Sequence, residues 1–361
     1  MQIAYQAFVA HGGCEVQAPG QSITSSKSRC SIAQQPTSLT DTGRRITAGS
    51  AFLTNEVREL PNFELRVNAK AKRVTFETTL TSRKATGVEY IDAHGEVQTV
   101  TANEEVLLSA GTFGSPQLLL LSGIGSNYEL ERANIPSVFD VSDVGENYQD
   151  HAGVLMVFDV PTNGTAVHEN SLETALAFST YYRSSFSQDN DDPDILIAPM
   201  FSRNVGQNTC RVELLISVVG NVASTGTVTL QTTSILDSPK VHYGLLHGQE
   251  DTDRMFDAFG FVRDVMEKAG ATEVIPAADG RFHGDFDFIR QTAGTLSDAV
   301  GTNAMGSVVD QRLKVKGVPN LRVVDSSVIP MIPNGNTQSM AYMVGYHGAD
   351  IILAGDPSPE L

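Results

Sequence analysis

Leu321-Arg322-Val323-Val324 is a short apolar, largely β-branched run that ends on an acid, Asp325, and it constrains the chain more than any other stretch. Such a run fits a buried strand. Gly317 and Pro319 break the chain just before it. Ser326, Ser327 and a loop rich in Pro, Asn and Gly follow, and a helix is expected from Thr337. Upstream lie small-residue turns at Ala299-Val300-Gly301-Thr302 and Ala304-Met305-Gly306, then a short amphipathic segment from Val308 to Val315. An acid at a strand's end beside a helix start suits a dinucleotide site. The carboxylate accepts a ribityl or ribose hydroxyl, and free backbone N–H groups face polar oxygens.

The 361 residues, 41% of them hydrophobic, suffice for one large or two ordinary domains and exclude a fibrous or disordered protein. A net charge of -17 argues against nucleic acid or an anionic membrane as the main partner. Cys14, Cys30 and Cys210 form neither a disulfide framework nor a metal-binding spacing. Free thiols are expected, with a Cys14–Cys30 pair as the alternative. The opening MQIAYQAFVAHGGC has no basic residue and too short an apolar run for a signal peptide. No stretch approaches the roughly 18 apolar residues of a membrane span. A cytoplasmic location is therefore expected, with secretion left open. The sequon Asn163-Gly164-Thr165 would matter only after secretion.

Residues 1–42 read as an irregular segment rich in Ser, Gln and Gly. Gly12-Gly13 and Gly20 follow no strand and open no helix, so they make no phosphate loop. Phe63 to Phe76 alternates apolar and polar residues like a strand pair kinked at Asn68-Ala69, and Ala85 to Val100 reads as a hairpin-like meander turning at His94-Gly95. Glu105 to Gly111 is an apolar strand ending in small residues, where Ala110 and Gly111 let a planar ligand approach the backbone. A helix should follow, with Ser115 as its N-cap and Pro116 at its first position. Asp150 and His151 are adjacent, and a structural turn is the preferred reading over a catalytic dyad. Strands are expected at Gly153–Val160, Ile195–Met200, Arg211–Val219 and Gly226–Gln231, forming a mainly antiparallel sheet. Glu250 to Ala269 should be a helix that buries Met255, Phe259, Val262 and Met266.

Several of these stretches together resemble the glucose–methanol–choline (GMC) flavoprotein oxidoreductases, over about residues 43–352. Gly43-Arg44-Arg45 through Leu53 resembles the family's G-R-R-x-x-A-x-x-A-Y-L helix. Ser109 to Gly125 is similar to its S-A-G-x-x-x-S-P-Q-L-L-x-x-S-G-I-G signature, and Val144 to His151 to its V-G-x-N-L-Q-D-H. The C-terminal signature, H-x-x-G-T followed by V-V-D-x-x-L-x-V-x-G-V-x-N-L-R-V-x-D-x-S, is matched from Asp298 to Ser327, with aspartate where the family has histidine.

The resemblance implies an α/β (α+β) fold: an incomplete FAD-binding Rossmann-like domain (43–150 and 291–361), a substrate domain (151–290) with a mainly antiparallel sheet and flanking helices, and a separate segment 1–42. It implies a small-molecule alcohol as substrate and FAD as hydride acceptor. Position 298 would supply the base, and Asn336 would bond the substrate oxygen. Ala71, Ala110, Gly111, Asp325, Ser326, Thr337 and Gln338 would line the cofactor, with the Thr337 N–H near the flavin's O2-side carbonyl. Neither the strand followed by G-x-G-x-x-G nor the second Gly-rich stretch that wraps the flavin diphosphate is found. The implied relative thus lacks the N-terminal diphosphate-binding segment, and a second copy or another partner should cover the exposed sheet edge. The alternative is a flavin-free, truncated relative that binds a ligand, acts as a scaffold, or moves protons through Asp298 and Asn336 without a cofactor.

Overall fold

The computed structural model describes residues 2–17, 29–34, 38–79, 83–162, 178–187, 192–206, 208–277 and 281–355. The sequon at Asn163 lies outside them. The chain opens with helix α1 (Gln2–His11) and strands β1 (Glu15–Val16) and β2 (Cys30–Gln34). Two short helices follow, α2 (Ala48–Phe52) and α3 (Asn55–Arg58), then a meander of β3 (Lys70–Thr78), β4 (Arg83–Ile91) and β5 (Val97–Thr101). Next come β6 (Val106–Leu108), α4 (Gly111–Leu121), β7 (Ile124–Gly125), α5 (Asn127–Arg132) and β8 (Phe139–Asp140). The large sheet is built from β9 (Ala152–Pro161), β10 (Phe178–Tyr182), β11 (Ile195–Gly206) and β12 (Thr209–Val218). After a small hairpin of β13 (Thr227–Thr229) and β14 (Lys240–His242), the chain forms α6 (Gln249–Lys268), β15 (Thr272–Ile275), α7 (Asp285–Thr292) and β16 (Gly294–Thr295). It closes with β17 (Leu321–Val323) and α8 (Gln338–Leu353).

The mixed α/β architecture with a mainly antiparallel sheet and flanking helices is the expected one. The large sheet runs β1-β2-β10-β11-β12-β9-β15, with β16 also on β9. Along β12, Cys210, Val212, Leu214 and Ile216 are buried on one face. Helix α6 meets that core through Met255, Phe259, Val262 and Met266, all wholly buried, as the helical spacing requires. A second core gathers Val74, Val106, Leu108, Leu118 to Leu120, Val308, Val309, Leu321 and Val323. It joins the meander, α4 and the parallel pair β6–β17.

Four local expectations need correction. Residues 2–17 and 29–34 hold regular elements: Ala4, Ala7 and Phe8 of α1 pack into the core under α6, and β2 pairs antiparallel with β10. They therefore extend the large sheet and leave the β6–β17 pair uncovered. Cys14 and Cys30 are joined in a disulfide rather than free, which ties the end of α1 to β2. Strand β3 starts only at Lys70, because Asn68 takes a left-handed turn (φ 55) immediately before it. Residues 227–229 stand in their own two-stranded pair and not in the large sheet.

The disulfide closes a loop of sequence separation 16, and chain entropy assigns such a closure about 3 kcal/mol. Cys14→Ser with Cys30→Ser should therefore lower the thermal midpoint by several degrees, and dithiothreitol should reproduce the shift in the unmodified protein only. Identical melting curves with and without reductant would show that the link contributes nothing.

Candidate functional site

The site grows from two neighbouring strand ends. Strands β6 and β17 pair in parallel, with Val323 opposite Leu108, and each runs into a turn that opens a helical segment. Asp325 ties the two turns together. Its Oδ2 accepts from the Gly111 N–H (3.0 Å) and the Ser115 hydroxyl (2.5 Å), and its Oδ1 accepts from the Ser327 N–H (2.8 Å). A carboxylate offers about four lone-pair positions, so one remains for an external hydroxyl. Ser326 is engaged as well: its hydroxyl meets that of Thr112 (3.0 Å), which donates to the Ala299 carbonyl (2.7 Å).

Helix α4 begins at Gly111, five residues before the expected start, so Ser115 and Pro116 sit inside it. Pro116 cannot donate to the Thr112 carbonyl, and the hydroxyl of Thr302 does so instead (2.6 Å). Ser115 reaches back to accept the Ala110 N–H (3.0 Å). Long-range partners thus satisfy a helix start that a local cap would otherwise have fixed.

The second half of the site lies where residues 294–300 run antiparallel to 149–153. Strand β16 pairs with Ala152 and Gly153, the Leu296 N–H donates to the His151 carbonyl (3.0 Å), and Val300 and Gln149 exchange backbone bonds. Asp298 and His151 meet here: His151 Nδ1 lies 3.0 Å from Asp298 Oδ2, across 147 residues of sequence. The Asp298 Oδ1 accepts the Thr337 N–H (3.1 Å), and the Thr337 hydroxyl stands 3.4 Å away. His151 Nε2 faces the Pro333 carbonyl at 3.1 Å.

Asp150 turns away from His151. Its Oδ2 accepts from the Tyr148 hydroxyl (2.8 Å) and from the Thr295 hydroxyl, and its Oδ1 accepts from the Asp298 N–H (2.9 Å). Burial, reinforced by the Asp150 carboxylate, pushes the Tyr148 phenol well above its ordinary value, which keeps it a donor. The two acids therefore do different work, and there is no Asp150–His151 dyad.

Two expectations for cofactor and catalytic groups change. The Thr337 N–H is not open to a flavin carbonyl, because Asp298 has taken it. Asp298 stands at the expected position for a base, yet its Oδ1 accepts the Thr337 N–H and its Oδ2 is paired with His151 Nδ1. Asn336 is exposed on the loop just before α8, and Gln338 is exposed at the helix start. Ala110 is exposed at the mouth of the β6 turn, and Gly111 (φ 78) has open space where a Cβ would point. Ala71 is half-buried on β3, which packs on α4. His151, Tyr148, Thr295, Thr112 and Gln149 join the network without having been singled out as site residues. The V-G-x-N-L-Q-D-H stretch was their available signal, but its pairing with residues 295–298 is long-range.

Tyr148→Phe removes one donor to a buried carboxylate, a loss of about 1.5–3 kcal/mol. Urea denaturation should show that decrease with the slope unchanged; a change below about 0.5 kcal/mol would place no stabilising weight on the bond.

Two family profiles, both described as GMC oxidoreductase, match residues 5–153 and 222–345. An oxygen-dependent choline dehydrogenase of Klebsiella pneumoniae subsp. pneumoniae is 28% identical over 357 residues, covering 89% of this chain and 63% of that protein. An alcohol dehydrogenase [acceptor] of Pseudomonas putida is 29% identical over 351 residues, covering 86% of this chain and 61% of that protein. The chain thus spans less than two thirds of these relatives. The crystal structure of pyridoxine 4-oxidase from Mesorbium loti superposes with a TM-score of 0.80 at 23% identity, over 99% of this chain and 70% of that one, a likeness of fold.

Proposed function

The chain belongs to the GMC oxidoreductase family, and from that premise we propose that it supplies the substrate side and one cofactor wall of an FAD-dependent oxidoreductase acting on the CH–OH group of a small alcohol. The observation that carries the reading is the exposed Asn336, held beside the start of α8 on the same segment that leaves the Asp325 turn.

The surface fits one end of the cofactor. Exposed Ala110 and the open Gly111 leave the backbone accessible to a planar ring. The first amides of α8, at Gln338 and Ser339, have no intrahelical acceptor and face outward as donors. Asp325 retains one lone-pair position for a ribityl hydroxyl, and Ser326 flanks it. For the diphosphate there is no strand followed by G-x-G-x-x-G and a helix among the described residues. FAD, when bound, would supply the acceptor for the hydride from the alcohol carbon, and the hydroxyl proton would leave to water at the exposed Asn336. The chain's own part is to orient that alcohol: the Asn336 amide donates to the substrate oxygen and holds the carbon in line.

A partner belongs to this reading. A parallel pair such as β6–β17 is ordinarily covered on both faces, yet Leu107 of β6 is 45% exposed. Helix α8 buries only Gly348, leaving Tyr346 at 75% and Leu353 at 85%. A polypeptide bearing further strands and a phosphate loop would cover that surface; a second copy of the chain is the other occupant. The Cys14–Cys30 disulfide favours an oxidising compartment over the cytoplasm. No helix among the described residues is long and apolar enough to cross a membrane.

The test is an absorbance spectrum of the purified chain with excess FAD, before and after gel filtration. Retained flavin absorbance is expected, and no retention at any concentration would sink the oxidoreductase reading in favour of a flavin-free binding protein. In a flavin-loaded chain, Asn336→Ala should reduce kcat/KM for alcohol oxidation by about a hundredfold, the scale of one lost donor at a reacting oxygen.

A further inference from the structure

One buried pair of side chains touches both ends of the loop that carries Asn336. The loop leaves the protein body at Pro333, passes Asn334, Gly335 (φ 102) and Asn336, and returns at Thr337. At its start, the Pro333 carbonyl faces His151 Nε2 at 3.1 Å. At its end, the Thr337 N–H donates to Asp298 Oδ1 at 3.1 Å. His151 and Asp298 are themselves joined, Nδ1 to Oδ2, at 3.0 Å. The path Pro333–His151–Asp298–Thr337 therefore closes the five-residue loop from beneath.

We propose that His151 and Asp298 are positioning residues, a buried clasp that fixes the loop presenting Asn336, and that Asp298 is a bracket for this loop and not the proton acceptor of the reaction. The inference rests on the proposed function only in taking Asn336 as the group presented to substrate; the clasp itself is a matter of hydrogen bonds.

Those bonds fix where protons stand. A carbonyl oxygen can only accept, so His151 Nε2 must carry a proton and donate it to Pro333. Nδ1 then faces a carboxylate oxygen, and that line also needs one proton, on the nitrogen or on Oδ2. One Asp298 oxygen shares this proton with His151 and the other is held by the Thr337 N–H, so both oxygens are engaged in holding the loop. The ring of His151 is wholly buried, so it does not reach the substrate either. The other charged group close by, Asp150, is filled by Tyr148, Thr295 and the Asp298 N–H, and it holds Asp298 from behind.

Asparagine at 298 can reproduce the clasp. Its Oδ1 accepts the Thr337 N–H, and its Nδ2 donates to an unprotonated Nδ1 while Nε2 stays on Pro333. Alanine removes both contacts. Amide hydrogen exchange at Thr337 and imidazole nitrogen resonances of His151, read by NMR on the full chain without cofactor, separate these cases. Thr337 protection should fall about ten- to a hundredfold in Asp298→Ala, the range expected for one lost bond to a charged acceptor, and return in Asp298→Asn. The His151 Nδ1 resonance should lie in the unprotonated range in Asp298→Asn. Unchanged Thr337 protection in a folded Asp298→Ala overturns the clasp. Should that variant not fold, the unmodified protein still decides: a His151 unprotonated at Nε2 would rule out the bond to Pro333 and the clasp with it. All of these readouts are independent of flavin, so a chain that fails to retain FAD would end the oxidoreductase reading and leave the clasp standing.

Discussion

The antiparallel seam between residues 149–153 and 294–300 is the constraint on which the rest of the site depends. It brings the edge of the large sheet to the segment that leads into β17, so it couples the two hydrophobic cores. Its backbone bonds set the register that faces His151 with Asp298 and Asp150 with Thr295. A slip of one residue would turn these side chains to the opposite face. Gly301 (φ 93) fits the same junction closely, since a Cβ there would lie 2.3 Å from the Asn147 carbonyl. The seam therefore specifies both the fold's closure and the polar contacts of the loop above it.

Burying several acids together is costly unless each lone pair finds a donor. Each oxygen of Asp150, Asp298 and Asp325 has at least one partner, a hydroxyl, a backbone N–H group or the His151 ring, and none of these is arginine or lysine. Neutral donors of this kind are short and directional, so each acid fixes the segments that donate to it. Asp325 fixes the two strand ends and Asp298 fixes the start of α8. The site is thus held by acids acting as acceptors for backbone, and this use consumes most of the capacity that a reading based on residue type alone would assign to ligand or substrate.

That difference separates what is legible in the sequence from what is not. Helix α6 is legible because Met255, Phe259, Val262 and Met266 repeat at helical spacing and one face is buried. Strands β9, β11 and β12 are legible from alternation and β-branched runs, and β17 from its short apolar run between breakers. The start of α4 is not legible, because Ser115 and Pro116 look like a cap and first residue while Asp325 and Thr302, about two hundred residues away, supply the bonds that extend the helix to Gly111. Helix α1 and the Cys14–Cys30 link are hidden for a related reason: a ten-residue helix with weak periodicity is stable only against α6, and tertiary packing overrides local propensity. The partner of Asp298 is illegible in the same way, since adjacency in sequence points to Asp150 as the neighbour of His151, whereas the pleat of the strand directs consecutive side chains to opposite sides.

The uncovered surface follows from the same distribution of contacts. Strands β1 and β2 extend the large sheet at β10 and not the β6–β17 pair. Strands β6 and β17 are left as a pair, with α8 lying over their ends at Gly348, where an added Cβ would come within 2.5 Å of Val324. That close approach, with Val344 and Ile351 packed on the same core, holds one side of the helix and leaves Met343, Tyr346 and Leu353 exposed. Apolar exposure on consecutive turns of one helix, beside a parallel pair open on its outer face, is a surface shaped for more chain. Ala110 and Gln338 are exposed as well, and Gly111 is open at its Cβ position. Whatever covers α8 and β6 would also enclose a ligand lying against them, so cofactor retention and coverage of this face are linked: a flavin held only by the described residues would keep one side in water.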